Sequence, residues 1–155
     1  MRRDNRTMSY VTATYHIVIN TRHRQMTLPL EACEELYRYI SGIVESNGCK
    51  LYAINGIENH IHLLIDLSPS LPLAKLMQEV KGSSSKWLKS SPQFPQFAGW
   101  GKEYAAFSYA ARDRGMVCNY IANQRDHHKH RTFEQEYRHL MENVGIPWNE
   151  PYMLT

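Results

Sequence analysis

Residues 59–67, Asn-His-Ile-His-Leu-Leu-Ile-Asp-Leu, constrain this chain more than any other stretch. Neighbouring side chains on a strand point to opposite faces, and both faces of this one are apolar apart from His60 and His62. Such a strand belongs in the middle of a sheet. Ile61, Leu63 and Ile65 then face a core, while His60 and His62 project together on the other side. Imidazoles on so apolar a strand need partners. Spaced two apart, they can converge on one metal ion, or they can be a hydrogen-bonded structural pair.

The segments around it fall into an order. Residues 10–20 are β-branched and aromatic and read as a first strand, with His16 on one face. Pro29 suits the first turn of a helix carrying Leu36, Tyr37, Ile40, Ile43 and Val44 at helical spacing, stopped by Asn47-Gly48. Residues 49–57 and 59–67 form two strands around a tight connection near Glu58-Asn59. Pro69 and Pro72 precede a second helix with Leu73, Leu76, Met77 and Val80 on one stripe, running to Trp87 or Leu88. Residues 90–101 are loop, and 103–110 a fourth strand. A third helix is expected from about Arg112 to Arg131, and Thr132 caps a short one through Met141. β-α-β-β-α-β followed by helices is an α+β, ferredoxin-like split-βαβ order with a C-terminal helical extension. The expected organisation is one domain over 1–155, with sheet and two helices over about 10–110 and the last helices over about 112–155.

Composition narrows the function classes. Apolar residues are 43% and charged residues 21%, as in a globular chain with a core. No apolar run reaches the length of a membrane span, and nothing apolar follows the basic residues 2–6, so neither span nor signal peptide is expected. Cys33, Cys49 and Cys118 are odd in number and lack metal-finger spacing, which points to a reducing, cytoplasmic setting. Net charge is +3, but residues 1–131 hold 17 basic against 11 acidic residues and residues 132–155 hold 1 against 4. A basic body with an acidic tail suits a polyanionic partner or an ordinary solvated surface.

A second constellation is Tyr120-Ile-Ala-Asn-Gln124. Four apart on a helix, Tyr120 and Gln124 share a face. A tyrosine hydroxyl can be a nucleophile and an amide carbonyl a neutral metal ligand, or the pair can be the rim of an amphipathic helix. His127, His128 and His130 follow, either as extra ligands or as a solvated helix end, with His127 placed three residues from Gln124. His16 can reach the face of His60 and His62, where a hydrogen-bonded role suits it.

Taken in order, these motifs resemble the single-tyrosine HUH transposases, the small transposases of bacterial insertion sequences and their REP-associated relatives. The resemblance rests on Tyr15-His-Ile-Val18, Asn59-His-Ile-His-Leu-Leu64, Ala106-Phe-Ser108, Tyr120-Ile-Ala-Asn-Gln124 and the tail Thr132-Phe-Glu-Gln-Glu-Tyr137. It implies a metal-dependent single-strand DNA endonuclease and strand transferase acting through a 5′-phosphotyrosine. Tyr120 would be the nucleophile, and His60, His62 and Gln124 would hold a divalent ion, magnesium or manganese. Neutral donors leave the ion most of its charge. The absence of a phosphate-binding G-x-x-x-x-G-K-[ST] loop fits a reaction that needs no ATP.

The resemblance also implies single-stranded DNA with hairpin ends as partner, an open sheet face guiding the strand, and a nucleoid-associated location. It implies a homodimer too, and favours one in which the tyrosine helix is exchanged between subunits. Arg22, Arg24, Lys81, Lys86, Arg112, Arg114 and Arg125 are the candidate DNA contacts, with Lys89 and Lys129 beside them. Trp87, Trp100 and Phe97 are candidates for stacking on bases or for the core. Two rivals are a non-catalytic single-strand-binding module on the same fold and a domesticated relative processing chromosomal repeats. The first would want aromatic stacking residues on the sheet that this chain lacks.

Overall fold

A computed structural model describes residues 10–149; the basic N-terminal residues 2–6 lie outside that range. Four strands, β1 (Thr14–Asn20), β2 (Lys50–Ile57), β3 (His60–Asp66) and β4 (Ala105–Tyr109), form one sheet in the order β2-β3-β1-β4. Every neighbouring pair is antiparallel. The central position expected for the His60–Asp66 strand is where it lies, and every one of its residues is buried. Helices α1 (Cys33–Ser46) and α2 (Leu73–Ser90) make the two crossovers. Ile17, Ile19, Ile61, Leu63 and Ile65 pack with Leu36, Ile40, Leu76 and Val80 in the main core. Trp100 and Phe97 are buried in that core, and Trp87 packs on its edge.

The opposite face is not open. Val18, Leu64 and Phe107 are apolar on that side and need cover, which the C-terminal third of the chain supplies. α3 (Arg114–Ala122) lays Val117 and Ile121 on Leu64, and α5 (Phe133–Asn143) lays Phe133, Tyr137, Leu140 and Met141 over Val18, Ala105 and Phe107. The helix expected over 112–131 is broken. A single turn of 3-10 helix (Ala111–Asp113) precedes α3, Asn123 leaves helical geometry, and a four-residue helix α4 (Gln124–His127) follows. Asparagine competes for backbone bonds in helix interiors, so a break there has a local cause. α5 starts as expected at Thr132, whose hydroxyl accepts from the Gln135 amide while the Gln135 side chain accepts from the Thr132 amide.

Two contacts fix α3 on its own sheet. Asn55, which pairs with His62 across the β2–β3 ladder, donates to the carbonyls of Ile121 and Ala122 at 3.1 and 3.2 Å. At the other end Arg114 donates to Asp66 at 2.7 Å, where Thr14 and Tyr52 also donate. Within one chain α3 thus finds apolar and polar partners on its own strands.

Burial opposes the Asp66 charge, but bonds from Thr14, Tyr52 and Arg114 outweigh it and hold the carboxyl below its ordinary value of 3.8. A depressed carboxyl stabilises the fold above its unfolded pKa and loses that contribution as pH falls through the folded one. Asp66→Ala strands Arg114 and Thr14 and is expected to cost about 1–3 kcal/mol at neutral pH. Urea denaturation should show that gap between wild type and variant narrowing as pH drops below 3.8. A gap that stays constant with pH would contradict the assignment.

Candidate active site and metal centre

The covered face holds a cluster of polar side chains in an otherwise apolar interface. His60 and His62 are wholly buried, as are Gln124 and Glu136. β3 sets the two histidines on one side of the sheet, as their spacing requires. The β2–β3 hairpin is pinched at this point: a Cβ at Gly56 would collide with the His60 carbonyl oxygen, so the close approach needs glycine.

Three ring nitrogens and two oxygens define the centre. His60 Nε2 lies 3.2 Å from Gln124 Oε1 and 3.2 Å from Glu136 Oε1. His62 Nε2 and His128 Nε2 each lie 3.1 Å from that same Glu136 oxygen, and His128 Nε2 lies 3.1 Å from Gln124 Oε1. Gln124 Nε2 donates to the other carboxylate oxygen, Glu136 Oε2, at 2.7 Å. That bond orients the amide, so its oxygen faces the imidazoles. Tyr120 donates its hydroxyl to Glu136 Oε2 as well, and its ring lies 5.9 Å from the ring of His62.

The outer nitrogens decide which atom faces inward. His60 Nδ1 is 2.8 Å from the Asn59 side-chain oxygen, and His128 Nδ1 is 2.9 Å from the Arg131 carbonyl. An oxygen acceptor at Nδ1 wants the ring hydrogen there, which leaves Nε2 with its lone pair. For His60 that lone pair faces only acceptors, Gln124 Oε1 and Glu136 Oε1. Burial, above all, holds His60 at about 4, so a proton does not fill the gap at neutral pH. A cation does. His62 is held from behind by His16, whose Nε2 lies 2.7 Å from His62 Nδ1. Burial and the His62 ring lower His16 to about 3, so it is neutral at ordinary pH.

His60, His62 and Glu136 thus form a buried group able to hold a metal ion, with Gln124 and His128 directed at the same point. Imidazole, amide and carboxylate are donors suited to a divalent ion, and outer bonds of the kind made by Asn59, His16 and Arg131 orient such ligands. The donor chemistry fits. Burial works against charge on Glu136 too, but its polar contacts with His128, His60 and His62 outweigh burial and hold the carboxyl below its ordinary value. Tyr120 is pushed well above its ordinary value, first by burial and then by the Glu136 charge, so it carries its proton in this arrangement.

His60, His62, Gln124 and Tyr120 meet at this one point, across 64 residues of sequence between His60 and Gln124. Of the histidine run, His128 enters and His127 does not. The break at Asn123 restarts the helix at Gln124, and His128, four residues on, falls beside it. His127 packs its ring 5.0 Å from Tyr120 instead. Glu136 was not singled out by sequence, although a signal exists. It sits on the apolar stripe of α5 with Phe133, Tyr137 and Leu140, the wrong face for a charge without a partner.

The candidate DNA contacts scatter. Arg22 and Lys81 line a cleft on the α2 side, and Arg24 pairs with Glu134 of α5 at 2.9 Å. Lys86 and Arg112 are exposed, Arg125 reaches the Leu30 carbonyl at 3.5 Å, and Arg114 is engaged by Asp66. Among the described residues no helix is long and apolar enough to cross a membrane.

Residues 9–124 match the model of the IS200-like transposase family. The ISDra2 transposase TnpA of Deinococcus radiodurans is 23% identical over 117 residues, which cover 72% of this chain and 84% of that protein. A crystal structure of a Deinococcus radiodurans R1 protein described as a transposase superposes with a TM-score of 0.57 at 24% identity. It covers 80% of this chain and 98% of that one. A REP-associated tyrosine transposase bound to a REP hairpin gives a TM-score of 0.60 at 16% identity, covering 83% of this chain and 74% of that one. At those identities the two structures speak for the fold. Glu136 and His128 both fall beyond the matched residues 9–124.

Proposed function

Because the chain belongs to the IS200-like transposase family, we propose that it cuts and rejoins single-stranded DNA in transposition, through a covalent link to Tyr120. The observation that carries this reading is the convergence of His60, His62, His128 and Gln124 on a carboxylate to which the Tyr120 hydroxyl is also bound. A divalent ion, magnesium or manganese, bound there would place positive charge against the scissile phosphate.

The residues of the chain account for the remaining roles. Asn59 and His16 fix the orientations of His60 and His62, and Gln124 is held by Glu136. The Tyr120 oxygen attacks phosphorus, its proton leaves with a base, and the strand's 3′-oxygen departs. The product is a 5′-phosphotyrosine and a free 3′-hydroxyl. Attack by a 3′-hydroxyl on that link reverses the step and releases Tyr120, with the number of phosphodiester-type bonds conserved. No outside energy source is needed.

His60 and His62 are wholly buried under α5, so a phosphate reaches them only when that helix withdraws. In the closed form the Glu136 carboxylate stands where a phosphate oxygen of the substrate would lie, on the same ring nitrogens and beside the same hydroxyl. Hairpin-ended single strands are the substrate in this reading, and the REP hairpin bound by a structural neighbour supports it. A homodimer belongs to the same proposal. The site is complete within one chain, so dimerisation is not needed to assemble it. Nothing in the described residues favours the non-catalytic alternative, since a binding module has no use for a nucleophile beside a buried donor cluster.

The test is cleavage of a hairpin carrying a single-stranded tail, taken from the sequence flanking the chain's own gene. Manganese or magnesium should support cutting, and excess chelator should stop it. Cutting that persists in chelator would remove the metal from the account.

A further inference from the structure

A second feature lies across the sheet from this site. Between α2 and residues 98–102 there is an open cleft of about 530 Å³. Arg22, His23, Lys81, Lys89 and Lys102 line it, and no carboxylate does. Its floor is small or flat: Gly82, Gly99 and Gly101 leave backbone within reach, and the buried Trp100 is fixed by a 2.9 Å bond from its indole nitrogen to Ser84. Another cleft, between residues 31–38 and Gln93, contrasts with it, carrying Glu31, Glu34 and Glu35 against the single cation Arg38.

The cleft is built rather than incidental. Lys81 is held by the Lys102 carbonyl at 3.1 Å, the Arg22 amide donates to Gly99 at 2.8 Å, and the Gly101 amide donates to Asn20 at 2.8 Å. His23 and Arg24 adopt left-handed backbone, with φ of 55° and 59°, where side-chain-bearing residues seldom go. Thr21 holds that kink by donating its hydroxyl to the Gln25 carbonyl at 2.7 Å. Strain sustained by its surroundings marks a segment shaped for a purpose. Here it throws Arg22 and His23 into the cleft and Arg24 onto Glu134 of α5.

The kink also joins the cleft to the active site. Asn20, the last residue of β1, pairs with His60, and Thr21 bridges to Trp100 in the cleft floor. Four residues of chain, 21–24, therefore run from the strand beside the metal ligands along the cleft to the helix that carries Glu136.

From this geometry we infer that the cleft is a docking groove for the phosphate backbone of the DNA strand, outside the scissile step, with residues 21–24 leading that strand round the sheet edge. The inference rests on the DNA reading above and adds a location to it. Four lysine and arginine cations with no carboxylate among the lining residues suit a run of phosphates, and the small-residue floor admits a sugar-phosphate chain that a bulkier surface would hold off.

Binding of a fluorescein-labelled oligothymidylate, followed by anisotropy at several salt concentrations, tests it. The variant Arg22→Ala/Lys89→Ala/Lys102→Ala removes three exposed cleft cations and leaves the backbone bonds in place. At about 0.7 per phosphate contact on a single strand, its salt slope should fall by about 2, and its affinity at about 50 mM salt by roughly 10²-fold. A matched variant, Arg38→Ala/Lys50→Ala/Lys75→Ala, loses the same charge elsewhere and should keep nearly the wild-type slope. Thermal melting confirms that both are folded. Equal losses in the two variants would mean that only overall charge matters and would overturn the groove. Tighter wild-type binding to oligouridylate than to oligothymidylate would overturn the assignment to DNA. A wild type that cleaves DNA while the two variants bind alike sinks the groove alone. One that neither binds nor cleaves sinks the DNA reading and the groove with it.

Discussion

A mixture of Tyr120→Phe protein with His62→Ala protein is expected to stay inactive, even when subunits can exchange. α3 docks on its own β2 and β3 through Val117, Ile121, Asn55 and Arg114, so each subunit brings its own tyrosine to its own histidines. Any oligomer built from the two variants then has one lesion in every site. Adduct formation should not rise above that of either parent. If helices were exchanged between subunits, heterodimers would contain one undamaged site and about a quarter of all sites would recover under random mixing. Recovery of that size would contradict the docked arrangement. Tyr120→Phe removes one oxygen from a half-buried ring, so a loss of activity in that parent is not a loss of fold.

His62→Ala has the second large effect. It deletes one inward-facing nitrogen and leaves His16, buried and neutral, without its partner. Manganese affinity measured by calorimetry should fall by about 10²-fold or more, since losing even an outer-shell partner costs 10–100-fold. Cleavage should fall with it. His60→Ala should behave alike, because its Nε2 faces the same two oxygens. Gln124→Ala should be milder, as water can replace an amide oxygen. Undiminished manganese binding by His62→Ala would show that the ion, if any, sits elsewhere.

Periodicity made half of this architecture legible. The alternation in residues 59–67 identified the central strand and the face to which His60 and His62 point, because strand geometry leaves no freedom in that relation. Thr132 and Gln135 marked the start of the last helix, because a capping box is a local device. What periodicity could not supply was the partner of each face. Residues 59–67 are apolar on both faces, Leu64 on the second, yet whether α3 and α5 of the same chain would cover that face is a long-range matter. The closed face followed from that, and with it the burial of the histidines.

The site was legible in its strand-borne and tyrosine-helix parts and not in its tail. Asn123 shifts the helical phase, so counting from Gln124 pointed to His127 when His128 is the residue that turns inward. Glu136 lies 12 residues beyond Gln124 and meets it only because α5 folds back over the sheet. Its signal was a carboxylate on an apolar stripe, which says that a buried partner exists and nothing about which one. The basic residues were the least legible. Arg24 and Arg114 are engaged by carboxylates while Arg22 and Lys81 face a cleft, a sorting made by tertiary packing alone.

The central claim is that Tyr120 forms a covalent bond to DNA at a metal-dependent site, and one measurement addresses it directly. The protein is incubated with its tailed hairpin DNA and manganese, denatured, digested with protease and nuclease, and examined by mass spectrometry. The account predicts a nucleotide linked through its 5′-phosphate to the peptide containing Tyr120, absent when chelator is present. A link on any other residue, or the same yield of adduct without metal, would contradict it.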